Sequence, residues 1–183
     1  MSDRIVTALR RGNRAIGLAC GLLLLATGAL ILVEILLRQT PFGALGGSDE
    51  YAGYAMAAIA TWGFSYALTE RAHIRIDLLQ RQLLPAGRVA LDLLSLLLLA
   101  ATTWLVTFYA WSVLAKTLDR GSRANTPLET PLWIPQALWF GGWVWFAVTA
   151  TILLLVVAAL ICRRRFAAVE AVAGCDLEEG LEP

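Results

Sequence analysis

From Ala15 to Val33 the chain runs almost without a polar side chain, and no other feature restricts its fold so severely. Roughly 20 residues at about 1.5 Å each cross the hydrocarbon core of a bilayer. Hydrocarbon offers backbone groups no partner outside their own helix. Four such segments are read, at about 15–37, 51–69, 89–115 and 133–162. The expected fold class is therefore an all-α integral membrane protein with a four-helix membrane domain over 15–165. Composition agrees: 58% of the 183 residues are hydrophobic and the mean hydropathy is +0.67, too apolar for a soluble domain of this size. Arg4, Arg10, Arg11 and Arg14 precede the first run, as basic residues precede a signal-peptide core. That run is longer than such a core and no small-x-small cleavage site follows, so the helix is expected to be retained.

Several function classes drop out. Cys20, Cys162 and Cys175 form no CxxC pair, which argues against a disulfide framework or a zinc site. His73 is the only histidine, so bis-histidine haem ligation within this chain is impossible. No P-loop, metal cluster or GxSxG is present. Neither an enzymatic activity nor a cofactor or metal is expected. The cations cluster in short segments, where they bear on topology rather than on nucleic-acid binding.

Taken in order, residues 1–14 are a basic N-terminal segment. Gly17-x-x-x-Gly21 in the first span, with Gly28 on the same face, offers a small-residue groove for helix packing. Glu34 and Arg38 close that span at i, i+4 and are read as an interfacial salt bridge. Pro41, Gly43, Gly46 and Gly47 mark a turn. Ser48 can cap the next helix, and Asp49 and Glu50 suit the positive end of its dipole. Adjacent on a helix, these two carboxylates point about 100° apart and form no natural dyad. The second helix is less apolar than the others. Its ridge of Gly53, Ala57, Ala60 and Thr61 suits protein contact rather than lipid.

The segment 70–88 is polar and basic, with Arg71, His73, Arg75, Arg81 and Arg88 against Glu70 and Asp77. Ile76, Leu79 and Leu83 would give a short interfacial helix one apolar stripe before Pro85. Arg88 and Asp92 repeat the i, i+4 pairing at the start of the third span. Lys116 to Pro135 is the longest loop. Trp133, Trp139, Trp143 and Trp145 in the last span are expected to form a headgroup-level aromatic belt. The arginines at 163–165 stop that span, and the acidic tail within 166–183 is expected to be disordered. Lys and Arg concentrate in the N-terminus, the 70–88 loop and the C-terminal triplet. The positive-inside rule then puts both termini and that loop in the cytoplasm, with the acidic pair and the 116–135 loop outside.

The ordered set Arg38, a Gly-rich turn, Ser48-Asp49-Glu50, Gly53-Tyr54, Gly63, Arg71-Ala72-His73-Ile74-Arg75-Ile76-Asp77-Leu78-Leu79 and Leu128-x-x-Pro131-x-Trp133 resembles the small permease subunit of tripartite ATP-independent periplasmic (TRAP) transporters, the DctQ type. The resemblance covers about Gly28 to Gly142. It departs at Gly47, where members often carry a tryptophan just before the acidic pair. It implies a multi-pass protein of the bacterial inner membrane. It also implies a large multi-span permease as partner, carrying the sodium and substrate sites and moving as an elevator. A periplasmic binding protein would deliver a carboxylate-type solute. No cofactor would sit on this chain. The partner-contact or structural residues would be Gly17, Gly21, Arg38, Asp49, Glu50, Gly53, Ala57, Gly63, Arg71, His73, Arg75, Asp77, Arg88, Asp92, Pro131 and Trp133, with membrane lipid around them. Few polar residues lie mid-span and no inverted repeat is visible, which fits a subunit working through a partner. The competing reading is a self-contained homo-oligomeric transporter or channel using Glu34.

Overall fold

A computed structural model describes residues 2–41, 43, 46–72, 85–126 and 128–163. They form four α-helices: α1 Ser2–Arg38, α2 Ser48–Thr69, α3 Pro85–Arg120 and α4 Trp133–Cys162. Extended backbone among the described residues amounts to one isolated antiparallel bridge between Arg123 and Pro131. Three helices are long and apolar enough to cross a membrane, over Arg4–Arg38, Gly87–Arg120 and Trp133–Cys162. The 22 residues of α2 span about 33 Å at 1.5 Å each. Its length suffices, but its Ser, Thr, Gly and Tyr content keeps it from qualifying by composition.

α1 differs from expectation at its start. Its helix does not begin at Ala15 but continues back to Ser2, because Val6 and Leu9 are buried in the main core. A stretch that reads as polar and basic thus has an apolar edge, and that edge packs. From there Asn13, Thr27 and Glu34 are buried on the same helix, at multiples of seven residues, which return to one helical face.

Local chemistry sets the other ends. Pro85 opens α3 and Pro135 lies in the first turn of α4, where a missing N–H costs nothing. α3 closes with the amide of Ser122 on the Thr117 carbonyl (3.2 Å) and that of Gly121 on Leu118 (3.3 Å), a Schellman arrangement. α2 closes the same way, Ala72 to Ala67 at 2.9 Å and Arg71 to Leu68 at 3.3 Å. Here an arginine takes the left-handed position, φ 56°, at a cost of about 1–2 kcal/mol.

The start of α2 corrects the capping expectation. The N-cap is Gly47, at φ 81°, and Ser48 is the first helical residue, buried and supplying no cap hydrogen bond. The amides of Glu50 and Tyr51 both donate to the Gly47 carbonyl at 3.1 Å. A side chain at 47 is doubly disfavoured. Its backbone is left-handed, and a Cβ would stand 2.2 Å from Leu128 Cδ1.

The helices form two antiparallel hairpins, α1–α2 and α3–α4, joined side by side through α2 and α4. The order across the row is α1, α2, α4, α3, with a minor contact between α1 and α4; α3 packs on α4 alone. α2 and α4 therefore run parallel. Their contacts advance together along both helices, from Thr61 against Gly142 to Phe64 against Phe146, 5.4 Å between ring centroids. A Cβ at 142 would lie 2.3 Å from Thr61 Oγ1 and 3.0 Å from its backbone carbon, so the helices can approach this closely only with glycine there. The core runs along α4 through Phe146, Ala150, Leu153, Val157 and Leu160.

Candidate functional site

Two polar clusters hold the row together, one at each end of α2. At its C-terminal end Asn13 is fully buried. Its Nδ2 donates to the Ser65 carbonyl at 3.1 Å and to Thr69 Oγ1 at 3.4 Å. Trp145 Nε1 donates to its Oδ1 at 2.8 Å. One amide thereby ties α1, α2 and α4. This Trp145 contact corrects part of the aromatic-belt expectation. Trp145 is an internal donor, and Trp143 stacks within a cluster with Phe64 (5.7 Å) and Phe146 (6.2 Å). Trp133, the first residue of α4, remains exposed.

At the other end Glu50 binds the α3–α4 loop. Its Oε1 accepts from Tyr54 OH at 2.6 Å, and its Oε2 accepts from Thr126 Oγ1. These donors, Thr126 first and Tyr54 second, hold the Glu50 carboxyl below its ordinary pKa because they favour the charged form. The loop itself is stiffened by Ala124 N to Thr130 O (2.9 Å) and Leu132 N to Ser122 O (3.1 Å), around the bridge at Pro131. Arg123 Nη1 donates to the Glu129 carbonyl at 3.4 Å. Asp49, Arg120, Arg123 and Glu129 are exposed on this end.

The other expected residues fall into three groups. Some are internal: Gly17 faces the Tyr66 ring, where a Cβ would come within 2.9 Å. Glu34 is only 2% exposed, and Arg38 Nε lies 3.1 Å from its Oε1. Asp92 is buried on α3, one turn after half-buried Arg88. Some face outward: Gly21, Gly53 and Gly63 have nothing within 4 Å of a built Cβ, and Ala57 is half-buried. The expected ridge of α2 is thus split. Thr61 turns into α4, while Gly53, Met56 and Ala60 form an open stripe. Arg71 caps α2, whereas His73, Arg75, Asp77 and the expected interfacial helix lie outside the described residues, as does the tail. Among the described residues no group of three or more His, Cys, Asp or Glu is placed to hold a metal.

Asn13, Thr126 and Gly142 escaped the sequence reading, and Trp145 was read only as part of the aromatic belt. A lone asparagine among arginines reads as solvated, and nothing local distinguishes Thr126 from other loop hydroxyls. Gly141-Gly142 was the one usable signal, a small pair inside an apolar helix.

The clusters join helices to each other and to a loop. A family model described as the DctQ component of tripartite ATP-independent periplasmic transporters matches residues 27–166. No curated protein and no solved structure matches the chain. The matched stretch begins in mid-α1 and ends just past α4, so it takes in both clusters except Asn13. The chain belongs to the DctQ family, a membrane component of tripartite periplasmic transporters.

Proposed function

We propose that this subunit braces the large permease of a sodium-coupled TRAP transporter in the bacterial inner membrane and helps the periplasmic binding protein dock during uptake of a carboxylate-type solute. All four helices then span, with both termini cytoplasmic. Sodium and solute are handled by the large partner, and this chain carries neither a cofactor nor a catalytic residue.

The observation that carries this reading is the open stripe of α2. Gly53, Met56 and Ala60 lie on the face turned away from α1 and α4, on the helix least suited to face lipid. A partner helix packing there would meet small side chains at Gly53 and Ala60, which let two helix backbones approach closely. The Asp49–Glu129 end would present polar and charged groups to the binding protein, while Arg71, His73, Arg75 and Arg88 would anchor the opposite face.

The test is co-purification of the tagged chain from its native membrane in mild detergent. A stoichiometric large permease is expected, and Gly53→Leu or Ala57→Leu is expected to reduce its yield severalfold while leaving the chain folded. Recovery of the chain alone, or unchanged yield with both variants, would refute the α2 interface.

A further inference from the structure

A groove of about 330 Å³ runs along the end of α4 opposite the Glu50 cluster. One wall is a stripe of α4, Ile152, Leu155, Ala159 and Arg163, and the other is Ile5 in the first turns of α1. The stripe follows the 3–4 spacing of a single helical face. Its floor is formed by Val156 and Leu160, which also belong to the core. Leu155 is 63% exposed, so the groove lies open along its length. Every lining side chain is apolar until Arg163, where α4 ends.

We infer that this groove holds one acyl chain of an anionic phospholipid whose phosphate lies on Arg163. Both walls belong to helices long and apolar enough to span a membrane, so what surrounds the groove is lipid. An apolar channel ending in a guanidinium matches a molecule with a long tail and a negative head. The charge around the mouth has the same sign. Arg4 and Arg11 are exposed on the face of α1 beside Ile5, lining a shallow cleft with Thr7 and Ala8. A basic side chain near an anionic membrane surface strengthens binding by about fivefold. Selection of an anionic over a zwitterionic headgroup is therefore expected to rest on these arginines, and occupancy of the tail on the groove.

The full chain, with whatever subunits accompany it, is exchanged into nanodiscs of equal phosphatidylglycerol and phosphatidylcholine with identical acyl chains. The lipid that survives release is identified by native mass spectrometry. Wild type is expected to retain one phosphatidylglycerol per chain, enriched at least fivefold over phosphatidylcholine. Arg163→Gln, a change at an exposed position, is expected to keep a lipid but lose about fivefold of that preference. Ala159→Trp fills the channel and is expected to retain none. The inference is overturned if wild type retains no lipid or shows no headgroup preference. It is also overturned if both variants behave as wild type, or if a photo-crosslinker at position 159 labels protein, whether a partner helix or the chain's own C-terminal segment, instead of phospholipid.

Discussion

The two ends of α2 solve the same problem with opposite chemistry. At the Asn13 end a neutral amide, a carbonyl, a hydroxyl and an indole share hydrogen bonds in a buried site. At the Glu50 end a carboxylate gathers hydroxyl donors from Tyr54 and Thr126 beside exposed loop residues. A charge buried as deeply as Asn13 would carry a desolvation cost of several kcal/mol; an amide satisfies as many partners without it. At the loop, water lowers that cost, and a carboxylate accepts from several donors at once. The first clasp is therefore indifferent to pH, whereas the second depends on it.

The largest effect should come from a change that breaks both clasps together. Gly142→Leu drives a side chain into Thr61 and pushes α2 off α4. Overpacking typically costs about 1–3 kcal/mol and occasionally more, and here the expected outcome is loss of the folded chain from detergent extracts, read by size-exclusion profile. Gly21→Leu, where nothing lies within 4 Å, is the control and should elute as wild type.

Asn13→Leu should come next. It strands the Trp145 N–H in a buried site, a loss of about 1–3 kcal/mol, and thermal unfolding in detergent should fall by the same amount at pH 5 and pH 8. A pH-dependent loss would dissolve the contrast between the two ends.

Glu50→Gln should be milder and should show itself through pH. The Glu50 pKa is lowered in the folded state, so its stabilisation is complete above the ordinary glutamate value of about 4.3 and is lost as the pH falls through the lower folded value. Wild type should lose amide-exchange protection, measured against the intrinsic rate at each pH, over 122–132 on acidification below that range. The glutamine variant should show raised exchange already at neutral pH and no further acid-induced step. Smallest of all, Tyr54→Phe removes one of the donors and should raise the pH at which the loop loosens while changing the neutral-pH rate by no more than about fivefold, since Thr126 still holds the carboxylate.

Much of the architecture could be read from residues alone. Apolar runs gave the helices, Pro and Gly gave their breaks, and i, i+4 spacing placed Glu34 beside Arg38. Periodicity identifies a buried face but not the helix that covers it. Nothing in the local pattern says that α2 lies beside α4 rather than α3, or that Trp145 turns inward while Trp133 does not. Ser48 was a reasonable cap by residue type. It lost the position to Gly47 because the left-handed backbone there, closed over by Leu128, could be seen only with the loop in place. Asn13 was hidden by its neighbours: four arginines within eleven positions obscure the apolar edge of Val6 and Leu9.

The parallel α2–α4 seam has a consequence for how the chain comes together. Each hairpin closes over a short connection and can form as soon as its second helix is made. The seam joins segments about 80 residues apart in sequence, so it must wait for the last helix to leave the ribosome. Until then the first hairpin sits in the membrane with Ser65, Thr69 and Asn13 sharing bonds among themselves and Glu50 without its loop. Both clasps cross between the hairpins and complete in the same step. A nascent chain stopped before Trp145 would hold three complete helices, with the polar edge of α2 still unfinished, the kind of surface that membrane quality control can recognise as incomplete.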